Sequence, residues 1–131
     1  MQRKVTVQHN TLRFSAAHFA TFAGQCEPLH GHNYDVIVEV EGELTQDAWV
    51  LDFVHLKELM HRLCHALDHR FLLPLRSPVL AITERAAAWE IAFRERRYII
   101  PKSDVCPLPV DNSTAERLAE WLCLRLKEEL A

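Results

Sequence analysis

Three histidines and one cysteine crowd the first quarter of the chain. They lie in Phe14-Ser15-Ala16-Ala17-His18-Phe19 and in Cys26-Glu27-Pro28-Leu29-His30-Gly31-His32-Asn33-Tyr34. His18, His30 and His32 supply three neutral imidazoles, and Cys26 adds a thiol that is near them but out of step with them. Catalytic zinc keeps three protein ligands and an open position for water or substrate, whereas a structural zinc site closes all four. Three nitrogen donors also suit zinc better than calcium or magnesium. The chemistry expected is therefore that of a reactive zinc centre.

Cys26 leaves two readings open. It stands four residues before His30 and could close the coordination shell as a fourth ligand. Alternatively it is a base or nucleophile, because a metal and imidazoles nearby would lower a thiol pKa whose free value is about 8.5. Asp68-His69 is a second candidate. The pair could place a cation at a helix C-terminus, or a carboxylate could orient an imidazole for proton transfer. His61, His65 and His69 also recur at helical spacing, a pattern that can bind zinc. His61 and His65, however, share a polar face with Lys57, Glu58 and Arg62 and read as solvated. Ser113-Thr114-Ala115-Glu116 matches a capping box, in which Glu116 reaches back to the amide of Ser113.

These residues need elements to position them. Val5 to about Phe19 reads as extended, interrupted by a turn at His9-Asn10, with Phe14, Ala16 and His18 on one face. Residues 20–29 contain Gly24 and Pro28 and read as a loop. A second strand follows, with Tyr34, Val36, Val38 and Val40 on one face, and His30 and His32 share their parity. An antiparallel pair joined by the 20–29 loop would bring the three imidazoles together. Asp52 is the expected N-cap of a helix whose stripe is Phe53, Leu56, Leu59, Met60, Leu63 and Leu67. From Val79 to Ile100 the pattern is β-like, with Trp89, Ile91 and Phe93 alternating with polar neighbours. A loop with Pro101, Pro107 and Pro109 precedes a last helix striped by Leu118, Leu122, Leu126 and Leu130. The expected order is ββ, α, β(β), α.

Length and composition set the outer limits. The 131 residues fit one domain, 1–131, large enough to bury its own core. A net charge of −3 with scattered Lys and Arg gives no basis for a nucleic-acid partner. No apolar run reaches the roughly 18–20 residues that span a bilayer, and no secretory signal opens the chain, so neither a membrane partner nor export is expected. The four cysteines form no CxxC pair and are expected as reduced thiols in a cytoplasmic protein. Cys64 and Cys123 fall in helical apolar patterns and read as small buried hydrophobes.

Taken together, FSAAHF (14–19), CEPLHGHNY (26–34), VLDFVHLK (50–57), LDH (67–69) and STAE (113–116) resemble the 6-pyruvoyltetrahydropterin synthase / 6-carboxytetrahydropterin synthase family. The resemblance implies an α+β tunnelling fold, or T-fold: an antiparallel sheet with two helices packed on one face, closing as an oligomeric β-barrel. It implies a homo-oligomer, trimer or hexamer, without nucleic-acid or membrane partners. Zn2+ would be held by His18, His30 and His32. Cys26 would be the base, with Asp68 and His69 handling protons across a subunit boundary. The implied substrate is the small-molecule pterin 7,8-dihydroneopterin triphosphate, whose side-chain oxygens zinc would polarise by Lewis acidity.

The Cys26-to-His30 interval resembles the queuosine-branch pattern, which implies 6-carboxy-5,6,7,8-tetrahydropterin as product. The alternatives are 6-pyruvoyltetrahydropterin, 6-hydroxymethyl-7,8-dihydropterin on the folate route, or a non-catalytic pterin-binding homologue that keeps zinc. Glu27 beside Cys26 is similar to dual-activity members and is either a second acid–base group or a solvated loop residue. Two departures from the family pattern stand out. Residues 79–109 form an unusual β-like insertion, and no C-terminal hairpin with its pterin-reading glutamate is recognisable. Pterin binding is then expected of Thr114 and Glu116, or of Glu84, Glu90 or Glu95, and the inserted β segment is expected to stand in for the absent strands.

Overall fold

The computed structural model describes residues 1–130. Period-two alternation carried over a long run makes β1 (Arg3–His18) a single strand. At the turn expected at His9-Asn10 the strand continues but its ladder is irregular, with residues 9–12 set against Val36 alone between the Gln8–Ile37 and Arg13–Asp35 pairs. The loop at 20–29 contains a two-residue-turn hairpin of β2 (Thr21–Phe22) and β3 (Gln25–Cys26). Ala23 and Gly24 take φ values of 50° and 76°, the left-handed backbone that such turns need. β4 (His30–Gly42) then returns antiparallel to β1, with His18 opposite His30 and Ala16 opposite His32.

Helix α1 (Phe53–Leu67) begins where expected, with the Asp52 carboxylate accepting from the amides of Val54 (2.9 Å) and His55 (3.4 Å). Leu56, Leu59, Met60, Leu63, Cys64 and Leu67 are buried along it, but Phe53, on its first turn, is exposed. β5 (Arg70–Pro74) follows directly and was not legible as a strand. β6 (Ala81–Glu84), β7 (Ala88–Phe93) and β8 (Arg96–Pro101) make a separate three-stranded antiparallel sheet within residues 79–109. That sheet does not add strands to the main one, as had been expected of it. β9 (Val105–Leu108) joins the main sheet instead, where a proline-rich loop was expected.

The main sheet has the order β4-β1-β5-β9. Its antiparallel pairing holds for β1 and β4 and stops there, because β5 lies parallel to β1 and β9 parallel to β5. β5 is central and covered on both faces: Leu72 enters one apolar cluster while Phe71 and Leu73 enter another. An unbroken apolar run is what such a strand needs, so alternation could not reveal it. β9 tolerates Pro107 because it is an edge strand.

The first cluster joins Leu12, Phe14, Ala16 and Val38 of the sheet to α1 and to Leu118, Leu122 and Leu126 of α2 (Ala115–Leu130). Both helices therefore cover one face. Leu130, expected in the buried stripe, is exposed, as is Cys123. The second cluster, Phe19, Phe71, Leu73, Leu80, Ile91, Phe93 and Val105, fixes the three-stranded sheet against the other side of β5 and β9.

Candidate metal centre and active site

The β1–β4 register delivers what strand parity required. Ring centroids of His18 and His30 are 4.7 Å apart, those of His30 and His32 4.7 Å, and those of His18 and His32 5.3 Å. One ring nitrogen from each of the three lies within 4.8 Å of the others, the only such cluster of metal-ligating groups among the described residues. Gly31 between the two β4 histidines is tightly packed. A Cβ there would sit 3.3 Å from the Ala16 carbonyl oxygen of the neighbouring strand.

Hydrogen bonds fix which nitrogens are free. His18 Nδ1 lies 2.8 Å from the carbonyl oxygen of Ser113, which can only accept, so Nδ1 carries the hydrogen. His30 Nδ1 donates in the same way to the Pro28 carbonyl at 2.7 Å. Both rings are left with Nε2 as a lone-pair donor. Nε2 of His18 is buried and has no protein hydrogen-bond partner. Buried polar atoms are rarely left so, and a metal ion is the partner this donor set fits. Burial holds the His18 pKa below its ordinary value, with the Ser113 bond opposing and the like charges of His30 and His32 adding to the effect. This favours the neutral imidazole that a metal ligand needs.

The capping-box pattern predicts Ser113 as the helix cap, and the structure moves that role by one residue. Thr114 Oγ1 accepts from the Arg117 amide at 3.2 Å, and α2 begins at Ala115. Ser113 is buried beneath His18, its hydroxyl donating to the Phe19 carbonyl at 3.3 Å and lying 3.1 Å from His18 Nδ1. Glu116 is consequently in the first turn of α2, exposed, rather than at the capping-box position. Two of the three alternative carboxylates are occupied elsewhere. Glu84 pairs with Lys102 at 2.7 Å, and Glu90 with Arg85 at 3.0 Å.

Cys26 ends β3 and packs on the second apolar cluster. Burial pushes its thiol up from the ordinary value. The opposing influence is the Arg96 guanidinium rather than the imidazoles expected to supply it. Arg96 had no sequence signal beyond its charge, yet its Nη2 donates to the Cys26 carbonyl at 2.6 Å and its Nη1 to that of Glu27 at 3.2 Å. The Glu27 carboxylate accepts from the Ala20 amide at 2.8 Å, and the Glu27 amide donates back to the Ala20 carbonyl at 3.0 Å. Its charge acts on His18, Cys26 and Tyr34. The buried Cys64 thiol is pushed up further, to about 11.

Asp68 and His69 form the pair that their spacing suggested. Asp68 Oδ1 lies 3.0 Å from His69 Nδ1 and accepts from the Ser15 amide at 2.8 Å. His69 adopts φ 57°, and its amide donates to the Ser15 carbonyl. His69 is largely exposed and shares an open cleft of about 800 Å³ with His32, Asn33, Arg70 and Asp104. Cys26 is not in the wall of that cleft.

A family model described as 6-pyruvoyl tetrahydropterin synthase matches residues 7–131. The chain belongs to this family. A Methanocaldococcus jannaschii relative, provisionally named 6-carboxy-5,6,7,8-tetrahydropterin synthase, is 33% identical over 123 residues, covering 93% of this chain and 76% of the relative. The solved 6-pyruvoyl tetrahydropterin synthase of Plasmodium vivax superposes with a TM-score of 0.93 at 35% identity, over 100% of this chain and 81% of that one. The same enzyme has also been solved with a catalytic glutamate replaced by alanine. A dihydroneopterin monophosphate aldolase from Pyrococcus furiosus is 38% identical over 76 residues, 58% of this chain and 63% of the relative. The fold is the T-fold of these enzymes, open as a single chain, and the protein is a lyase of the tetrahydropterin synthase kind. No helix among the described residues is long and apolar enough to cross a membrane.

Proposed function

We propose that this lyase converts 7,8-dihydroneopterin triphosphate to 6-carboxy-5,6,7,8-tetrahydropterin on the route to queuosine. One water is consumed, and acetaldehyde and triphosphate leave. The bond between the first and second side-chain carbons breaks, and the first carbon stays on the ring as the carboxylate. The observation that carries this reading is the buried, unpartnered Nε2 of His18 beside His30 and His32, in a chain whose relatives bear that enzyme's name.

Zinc, held by His18, His30 and His32, would supply Lewis acidity to the side-chain oxygens of the substrate. Cys26 removes a proton from a side-chain carbon, and the Asp68–His69 pair returns one, the carboxylate holding the imidazole by Nδ1. Cys26 packs beside Arg96 while His69 opens onto the cleft with His32. The pair therefore serves the site of a neighbouring copy in a homotrimer or homohexamer. The open edge of β4, with Ile37 exposed on it, is available for such pairing. Thr114, Glu116 and Glu27 are the polar groups assigned to the pterin.

A second reading rests on Glu27, held by Ala20 within electrostatic reach of His18. Glu27 as the base would release the second and third side-chain carbons as a phosphorylated two-carbon aldehyde and leave 6-hydroxymethyl-7,8-dihydropterin. The catalytic glutamate of the Plasmodium vivax enzyme and the aldolase relative favour it. Chromatography of products from the zinc-loaded protein separates the two. Cys26→Ala should abolish the 6-carboxy product, and Glu27→Gln the hydroxymethyl product. An untouched substrate would refute both.

A further inference from the structure

We propose that Arg96, on the three-stranded sheet, is the positioning residue for the Cys26–Glu27 segment and holds the thiol in its working place. The inference rests on the reading of Cys26 as the base. The turn between β7 and β8 sets it up. Arg94 takes φ 54°, and Phe93 pairs with Arg96 across the turn. Phe93 is buried, and both guanidiniums lie over its ring, Arg94 at 5.0 Å and Arg96 at 5.2 Å. A planar fork stacked on an aromatic ring loses little further freedom when it bonds.

The fork of Arg96 is spent on two successive carbonyls, those of Cys26 and Glu27. Arg94 reaches the same hairpin one step earlier, at the Gly24 carbonyl and the Gln25 side chain, both at 3.4 Å. Elsewhere the short hairpin is tied at its base, by Asn112 to the Thr21 amide and carbonyl and by Glu27 to Ala20, while Phe22 at its tip is bare to solvent. Arg96 thus adds a second grip on the β3 side of the hairpin, at the residue where chemistry is expected. Its guanidinium also acts directly on the Cys26 thiol.

Arg96→Ala and Arg96→Lys, in the zinc-loaded protein, test this by two independent readouts. The first is the pH dependence of Cys26 alkylation by iodoacetamide, followed on the Cys26 peptide by mass spectrometry. Arg96→Ala should raise the midpoint by about one pH unit, since a neighbouring cation favours thiolate. Arg96→Lys, which keeps the charge but not the fork, should lie between. The second is turnover, with kcat lowered about tenfold or more and KM within about twofold, as expected when a reacting group is misplaced. Arg97→Ala, on the exposed side of the same strand, should match the unmodified chain in both.

An unchanged alkylation midpoint in folded Arg96→Ala would overturn the proposal, as would an unchanged kcat. If Arg96→Ala fails to fold, Arg96→Lys and Arg96→Gln decide by the same criteria. Absence of turnover in the unmodified chain would sink the functional reading alone, and the alkylation series would still decide the role of Arg96.

Discussion

His18 Nδ1 is 2.8 Å from the carbonyl oxygen of Ser113, a bond that joins the end of β1 to the residue before the α2 cap. It sets the imidazole tautomer and so presents Nε2 as the donor. The partner is backbone, so substitution of the serine side chain leaves the main contact in place. Ser113→Ala should lower zinc affinity by about tenfold at most. His18→Ala should remove stoichiometric zinc altogether. Metal analysis after dialysis, with competition by a chromophoric chelator, checks both. Zinc retained at one per chain in His18→Ala would place the ion elsewhere.

Gly31 presents a different constraint. A methyl group there would meet the Ala16 carbonyl at 3.3 Å, and backbone on a paired strand has little room to retreat. Gly31→Ala should cost about 1 kcal/mol in urea unfolding, as overpacking does. It should also weaken zinc binding, because the displaced residues on either side are His30 and His32. Gly42→Ala is the contrast. Its Cβ would meet only the Val50 Cγ1 at 3.1 Å, a side-chain terminus that can turn away. That variant should bind zinc as the unmodified chain does.

What the sequence disclosed, and what it withheld, divides along the same physical line. His18, His30 and His32 were legible because parity on two alternating strands is a local property. Asp52 was legible because a cap sits next to the helix it starts. β5 was not, because a strand buried on both faces has no alternation to show, and Leu67 runs into it through only Asp68 and His69. β9 was hidden by Pro107, which reads as a breaker unless the strand is known to lie at an edge. Ser113 and Thr114 are both good caps; the amides of Arg117, on the Thr114 hydroxyl at 3.2 Å, and of Leu118, on the Thr114 carbonyl at 2.9 Å, separate them. Arg96 was beyond local reasoning, since its partners lie 69 and 70 residues away.

Tyr34 stacks on Phe14 with centroids 4.6 Å apart, and its hydroxyl is buried without a protein partner. Burial raises its pKa, with the charge of Glu27 adding to the rise. A buried donor left unpaired costs about 1–3 kcal/mol. Tyr34→Phe keeps the stacking and removes that cost, so the variant should unfold at a higher temperature, by a gain of about 1 kcal/mol. Thermal unfolding of both proteins, stripped of metal and substrate, measures this directly. A loss of stability instead would mean that an ordered water satisfies the hydroxyl.

Asp68 gives the pH dependence its sign. The Ser15 amide, above all, holds its carboxyl below the ordinary value; burial opposes it, and the bond and charge of His69 and the charge of His65 add to the lowering. A carboxylate that is stronger in the folded state binds fewer protons there than in the unfolded chain, so it stabilises the fold at neutral pH. Its contribution is complete above the unfolded value of about 3.9 and fades as pH falls through the lower folded value. The side chain is about one-third exposed, so solvent screens the pair with His69, and the retained amide bond dominates. Asp68→Ala should therefore lose about 1 kcal/mol near pH 7 and progressively less below pH ~4. Urea unfolding of both proteins from pH 7 down to pH ~3 follows the convergence. A difference that persists at the acid end would show that packing around α1, rather than the carboxylate charge, is what the substitution removes.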